Sequence, residues 1–96
     1  NILTNYIMLP LLFEFLGTLV FFYVIFNVGE PISIAAALLG VIFFGAAVSG
    51  AHYNPGVSFL MWLGGRISLG TALQYVLVQL LAAATVVLLS TSKSLS

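Results

Sequence analysis

One polar, helix-breaking segment interrupts a chain that is otherwise almost continuously apolar. It covers residues 49–58, with the sequence SGAHYNPGVS, and Asn54-Pro55-Gly56 lies at its centre. In hydrocarbon, backbone groups outside a regular helix are tolerated only where protein covers them or where water reaches them. The segment therefore predicts a cavity or a pore inside a membrane.

Charge is nearly absent from the chain. Of its 96 residues, 62% are apolar and 4% are charged. So few charges could not keep a soluble surface hydrated, and the apolar runs are longer than a core helix needs. We therefore predict an integral, multi-pass membrane protein, in a membrane that the sequence does not specify. No cleaved signal peptide is expected, because no basic region precedes the first apolar run. The zero net charge gives no indication of a nucleic-acid partner, and the absence of cysteine excludes thiol chemistry.

Three apolar runs are long enough to span a bilayer. They cover about residues 6–27, 31–49 and about 67–90. At 1.5 Å per residue they reach roughly 33, 28 and 36 Å, against a hydrocarbon core of about 30 Å. The polar tail, residues 90–94, is expected to fray into water.

A shorter helix is predicted directly after the break, so that residues 50–64 form a re-entrant loop and a half-helix. Asn54 is a favourable N-cap, Pro55 suits the first helical position, and Gly64-Gly65 should end the helix. About 10 residues give roughly 15 Å, which is half the membrane. The helix should therefore begin near the midplane, with its positive dipole end at membrane depth. The alternative is a spanning helix that is kinked at Asn54-Pro55.

Four motifs resemble the aquaporin, or major intrinsic protein, family. Residues 49–58 resemble its SGxHxNPAVS/T signature, residues 14–18 (EFLGT) its first helix, residues 63–68 (LGGRIS) the link after the half-helix, and residues 75–79 (YVLVQ) its third helix. The four motifs agree in order, which makes the match specific. The resemblance implies an all-α membrane protein in which residues 1–96 form a single half-unit, the first half of the fold. The chain departs from the pattern at Gly56, where the family usually has Ala, in its short first loop, and in carrying one Asn-Pro motif.

A half-helix leaves half of the bilayer unfilled. A second half-helix from the opposite face would complete it, and the simplest supplier is an inverted second copy, related by a two-fold axis in the membrane plane. Arg66 and Lys93 are predicted to lie on opposite sides, so the positive-inside rule favours neither orientation. The alternative is that four charges are too few to indicate a topology. By resemblance, four such pores would assemble from eight chains.

Two groups of residues are predicted to line the pore. The amide N–H groups of Asn54 would donate to a passing water, and two such donors with two helix N-termini would prevent an unbroken proton-conducting chain. The alternative for Asn54 is a purely structural cap. The carbonyls of the loop before it would form a ladder of acceptors. The pore-lining set is Gly50, Ala51, His52, Tyr53, Asn54, Pro55, Gly56 and Val57, with Ile34 from the second helix.

By resemblance, Val57 stands where a typical second half carries an Arg, and Ile34 falls on the filter position of the second helix. A filter of these two residues would be apolar and could pass glycerol-like solutes as well as water, or could be narrow enough to stay dry.

Glu14 lies near the middle of the first helix, where an acid costs about 3 kcal/mol unless it is paired. By resemblance it supports the loop through backbone N–H groups, with Gln79 beside it, and His52 braces the same loop. A proton relay through Glu14 is the alternative, but no chain of titratable groups accompanies it. His52 has no second ligand nearby for a metal. Small residues on the helices are predicted to allow close helix packing, among them Gly17, Gly40, Gly45 and residues 82–84.

The sequence therefore predicts a passive channel for water or small neutral solutes, formed by an antiparallel homodimer of half-units. Two alternatives remain: a subunit that pairs with a separate second-half polypeptide, and a non-conducting membrane interaction protein. An enzyme is not expected, because the sequence contains no nucleophile–base or metal constellation. No cofactor is expected.

Overall fold

Residues 1–95 form four helices in the computed structural model, which describes the backbone of these residues and the side chains of residues 1–91. The helices are α1 (Ile2–Asn27), α2 (Pro31–Ser49), α3 (Pro55–Leu63) and α4 (Leu69–Leu95). Three of them are long and apolar enough to cross a membrane. The predicted fold class, an all-α membrane protein with three spanning helices and one short helix, is confirmed, and so is the multi-pass membrane location.

Polar side chains decide where the long helices begin and end. Asn1 caps α1 by accepting from the Thr4 amide at 2.9 Å, so α1 begins earlier than the predicted residue 6. Ser68 Oγ accepts from the Thr71 amide at 3.1 Å, so α4 begins after the predicted residue 67.

The far end of α4 is also longer than predicted. Ser90 Oγ donates to the Val86 carbonyl at 2.7 Å and accepts from Asn27 Nδ2 at 2.9 Å. These contacts tie the predicted fraying point to the end of α1, and the helix continues to Leu95. The side chain of Lys93 lies outside the described residues, and so does the prediction that it faces the side opposite Arg66.

The helices pack around α1, which contacts both α2 and α4, whereas α3 contacts α4. Glu14 bonds to Gln79 and Asn27 bonds to Ser90. These two pairs follow the same order along both helices, so α1 and α4 run parallel. Small side chains, such as the buried Ala72 and Ala82, keep α4 close to its neighbours.

The short helix begins at the depth of the middle of α1. Glu14, near the centre of α1, accepts hydrogen bonds from the backbone amides of the two residues that directly precede Asn54, the N-cap of α3. From there α3 runs to Leu63, after which Gly64 and Gly65 turn the chain into the start of α4. Because residues 50–54 are not helical and α3 has 9 residues, the structure has the half-helix and not the kinked spanning helix.

Candidate functional site: the re-entrant segment and its buried polar network

The backbone of residues 50–54, called the re-entrant link below, adopts conformations that are rare for ordinary residues. Gly50 has φ 87°, Ala51 has φ 56° and Tyr53 has φ 55°. Left-handed conformations cost most residues about 1–2 kcal/mol each and persist only where the surrounding structure fixes them. The link must therefore be held by specific contacts.

Glu14 supplies the central contacts. Its side chain is fully buried and accepts four hydrogen bonds. The donors are Ser49 Oγ at 2.6 Å, the His52 amide at 3.0 Å, the Tyr53 amide at 2.8 Å and Gln79 Nε2 at 3.0 Å. Because every partner donates, the arrangement suits an ionised carboxylate, which is an acceptor only. The cost of burying this acid is offset by charge-assisted hydrogen bonds to the link.

A second set of contacts connects the network to α3 and α4. Gln79 Nε2 also donates to Ser58 Oγ at 3.0 Å, and His52 Nδ1 lies 2.8 Å from the same hydroxyl oxygen. The Tyr75 hydroxyl donates to the Ser49 carbonyl at 2.7 Å, and its ring meets that of His52 edge-on. The link is thus attached to α1, α3 and α4 through side chains that have little or no exposure.

Sequence reasoning did not assign partners to Ser49, Ser58 or Tyr75. A signal for two of them was present: Tyr75 precedes Gln79 by one helical turn, and Ser58 follows Asn54 by one turn, so each shares a helix face with a predicted residue. Ser49 gave no such signal, since a serine in an apolar helix is also typical of close packing.

Asn54 caps α3, as its position predicts. Its side-chain Oδ1 accepts from the Gly56 amide at 2.7 Å, and its backbone is extended. This bond uses the amide oxygen, and the residue as a whole is exposed. An exposed polar residue at the N-terminus of a helix, at the depth of the middle of α1, is the main chemical feature of this site.

The other predicted pore-lining residues fall into two groups. Residues 50–57 lie together in the re-entrant link and the first turn of α3: Gly50 and Gly56 are exposed, Ala51, Pro55 and Val57 are half-buried, and His52 and Tyr53 are buried. Ile34 is half-buried near the start of α2. No residue of α2 has its Cα atom within 8 Å of a Cα atom of α3, so one copy of the described chain does not bring Ile34 and Val57 together.

Metal binding has no support in the described part of the chain. No group of three or more His, Asp or Glu side chains lies close enough there to hold a metal ion.

Comparison with known proteins identifies the family. The major intrinsic protein family matches residues 4–95. The chain belongs to this family. The chain is 37% identical to the lens fiber major intrinsic protein of Lithobates pipiens over 84 residues, which cover 73% of this chain and 31% of the relative. It is 39% identical to that of Ovis aries over 84 residues, with the same coverage.

Plant relatives match a shorter part. The chain is 46% identical to aquaporin TIP1-2 of Zea mays over 55 residues, which cover 57% of this chain and 22% of the relative. The chain thus spans about a third or less of the curated relatives that it matches. No solved structure matches it. The resemblance to this family, stated from the four motifs, is confirmed.

Proposed function

We propose that this chain forms one half of a passive channel for water and small neutral solutes, and that an inverted second copy completes the pore. The observation that carries this proposal is the exposed Asn54 cap at the depth of the middle of α1. It is positioned there by a buried acid that bonds to the two residues before it. In hydrocarbon, a polar helix end at this depth would lack hydrogen-bond partners, whereas beside a water-filled path it can bind and orient water.

The need for a second unit follows from the exposed groups. Asn54 and Gly50 are exposed in one copy, and polar backbone outside a helix cannot face lipid. At 9 residues, α3 reaches about 14 Å, or half of the hydrocarbon core. A second short helix from the opposite face would cover these groups and leave a polar path between the two tips.

The proposed mechanism rests on two positive helix ends and two amides. Each Asn54 would donate from its side-chain nitrogen to the oxygen of a passing water, while its oxygen stays bonded to the Gly56 amide. A water that accepts two such bonds cannot also accept a proton along the file, and the two helix N-termini repel cations. The carbonyls of residues 50–53 would accept hydrogen bonds from the permeating molecule.

The proposed filter forms between copies. Within one copy, no Cα atom of the helix that carries Ile34 lies within 8 Å of a Cα atom of the helix that carries Val57. Inversion would bring Val57 of one half to the mouth at which Ile34 of the other lies. An apolar filter without a fixed positive charge favours neutral solutes such as glycerol in addition to water.

The alternative partner is a separate second-half polypeptide with its own Asn-Pro motif. The filter would then be asymmetric. The remaining alternative is a membrane interaction protein that keeps the fold without conducting.

Liposome swelling tests the proposal. Vesicles that contain only this chain should shrink in hyperosmotic buffer faster than protein-free vesicles. Asn54→Asp should slow the shrinkage by about tenfold, because a carboxylate still caps the helix but no longer donates to water. Asn5→Asp, a change at an exposed asparagine of α1, is the matched control and should leave the rate unchanged.

Cysteine labelling in cells and reconstitution in vesicles identify the partner. The chain contains no cysteine, so single cysteines placed at either end report orientation without background. An inverted pair requires both orientations in intact cells. Conduction that appears only when a second-half polypeptide is added would identify the alternative partner. Normal oligomers that never conduct, with or without that polypeptide, would contradict the channel.

A further inference from the structure

The ring of Tyr53 fills a socket between α1 and α2. The side chain is 1% exposed, and its hydroxyl donates to the Val41 carbonyl at 2.6 Å. A Cβ atom added at Gly17 would overlap the ring, and one added at Gly45 would overlap the hydroxyl oxygen. Gly17 and Gly45 were predicted to allow close packing between helices. The structure shows that they make room for this one side chain.

Neither glycine is needed for its backbone conformation. Both lie inside helices, at Ile2–Asn27 and Pro31–Ser49, and neither has a positive φ. Glycine in a helix interior is less favourable than alanine by about 0.5–1 kcal/mol. The two positions therefore carry a small backbone cost, which is offset by the burial of the ring that the space admits.

The two glycines meet different parts of the tyrosine. Gly17 faces the ring carbons Cδ1, Cε1 and Cζ, whereas Gly45 faces the hydroxyl oxygen first and Cζ second. A phenylalanine would keep the ring carbons and lack the hydroxyl oxygen. The ring carbons and the hydroxyl oxygen of Tyr53 are therefore the first atoms that a side chain would meet at two different positions, and substitutions can test the two contacts separately.

Tyr53 is fixed at two points next to Asn54. Its amide donates to Glu14 Oε1 at 2.8 Å, its ring lies in the socket, and its backbone is left-handed between them. With both the amide and the side chain held, the carbonyl of Tyr53 and the start of α3 have little freedom. We infer that Tyr53 is a positioning residue, which uses the Gly17–Gly45 socket to set the location of Asn54 and of the first turn of α3. Its effect on permeation rests on the proposed function.

A single-cysteine reporter tests this inference. Val57→Cys places one thiol in the first turn of α3, and its rate of reaction with a water-soluble thiol reagent reports the position of that turn. Gly45→Ala and Gly17→Ala should each change the rate by about tenfold, because overpacking of this kind shifts side chains and backbone. Gly70→Ala is the control, since a Cβ atom there meets only ordinary contacts, and it should leave the rate unchanged.

The rescue pattern decides the outcome. Adding Tyr53→Phe to Gly45→Ala should return the rate to within about twofold of Tyr53→Phe alone, because the overlapping hydroxyl is gone. Adding Tyr53→Phe to Gly17→Ala should not return the rate to that of Tyr53→Phe alone, because the ring carbons that overlap the added Cβ atom remain. If either glycine variant fails to fold, the recovery of monodisperse protein in the double variants should follow the same pattern. Equal rescue of both variants, or of neither, would overturn the inference.

Permeation through variants without the reporter separates this inference from the proposed function. If the rescue pattern holds and the unmodified chain conducts water, Gly45→Ala should alter the ratio of glycerol to water permeability and Tyr53→Phe should restore it. If the rescue pattern holds and the chain never conducts, the socket stands and the channel proposal fails. An unchanged ratio in a conducting Gly45→Ala variant would show that Tyr53 has only a structural role.

Discussion

Two short connections without helical structure differ in which groups accept hydrogen bonds from their backbone amides. The re-entrant link, residues 50–54, joins α2 to α3, and the turn at residues 64–68 joins α3 to α4. In the turn, three backbone amides donate to carbonyls of the last turn of α3, at 2.8–3.0 Å, and its residues are exposed or half-buried. In the re-entrant link, the Gly50 amide donates to a backbone carbonyl of α2, but the next three amides donate to side chains: Ala51 to Ser49 Oγ, and His52 and Tyr53 to Glu14.

The difference follows from the solvent that each connection meets. The turn lies at the end of a short helix, where water or lipid headgroups can satisfy the backbone groups that α3 leaves open. The re-entrant link lies at the depth of the middle of α1, away from bulk water and headgroups, so its amides that point into the protein need partners from the protein itself. Its partners therefore come from a distant part of the sequence, since Glu14 precedes His52 and Tyr53 by 38 and 39 residues.

The largest expected effect is the loss of Glu14. In Glu14→Gln, an amide nitrogen replaces one carboxylate oxygen and faces groups that are themselves donors. Two donors of the network are then left without an acceptor in a buried site. We expect the free energy of unfolding to fall by about 2–6 kcal/mol, because each buried donor that is left unsatisfied costs about 1–3 kcal/mol. Titration of the protein in mixed micelles with a denaturing detergent measures the change.

Glu30→Gln is the matched control for Glu14→Gln. Glu30 also accepts from two backbone amides, those of Ile32 and Ser33, but it is exposed. Its loss should cost a small fraction of the loss at Glu14. Similar losses at both positions would mean that burial does not distinguish the two carboxylates, and the contrast between the two connections would be wrong.

Each connection has one glycine with a left-handed backbone near its start. Substitution of either glycine by alanine should lower the free energy of unfolding by a similar amount. Gly50 has φ 87° and Gly65 has φ 75°. A Cβ atom at Gly50 would make only ordinary contacts with His52, and one at Gly65 would meet nothing within 4 Å. Substitution by alanine should therefore cost about 1–2 kcal/mol at either position, from backbone strain alone.

Water permeability should separate these two glycine variants even though stability does not. Gly50→Ala strains the link that precedes Asn54, whereas Gly65→Ala strains the exposed turn. We expect reduced flux in the first variant and unchanged flux in the second, measured by vesicle shrinkage at equal protein density. Reduced flux in both variants would show that the turn also controls the pore.

The two connections also differ in how far the sequence predicted them. Local signals indicated both ends of α3: Asn54-Pro55 predicted its first residue, and Gly64-Gly65 predicted its last turn. A local signal suffices there because a cap acts over three or four residues. For the re-entrant link, family resemblance implied that Glu14 supports the loop, and the cost of an acid in hydrocarbon indicated that its side chain faces the protein interior.

The Tyr53 socket and the role of Ser49 could not be read from the sequence. Each depends on which helix faces come together, and hydrophobic periodicity gives little help when helices are apolar on every side. A glycine in an apolar helix predicts close approach but does not say whether a backbone or a ring approaches it. For Gly17 and Gly45, the answer required the three-dimensional structure.

A smaller effect is expected at Tyr75, whose hydroxyl donates to the Ser49 carbonyl just before the re-entrant link. Tyr75→Phe keeps the ring that packs against His52 and removes this bond. The free energy of unfolding should fall by about 1 kcal/mol, or somewhat more because the site is buried. Tyr6→Phe, a change at an exposed tyrosine of α1, is the control and should have no effect in the same detergent titration. An equal loss in both variants would contradict a specific role for the hydroxyl.

The smallest expected effect depends on pH and belongs to the loop between α1 and α2. Backbone hydrogen bonds from Ile32 and Ser33, together with the Ser33 hydroxyl, hold the pKa of Glu30 below its ordinary value of 4.5. A carboxyl with a lowered folded-state pKa stabilises the fold above its ordinary pKa, and it loses that contribution as the pH falls through the lowered value. The stability difference between the unmodified chain and Glu30→Gln should therefore be constant near neutral pH and shrink in acid.

Detergent titrations at a series of pH values measure this stability difference, with labelling of Val57→Cys in parallel. Labelling should stay unchanged in Glu30→Gln, since this cap acts at a solvated helix end and not at the re-entrant link. A difference that persists in acid, or a changed labelling rate, would mean that the exposed cap and the buried network are coupled.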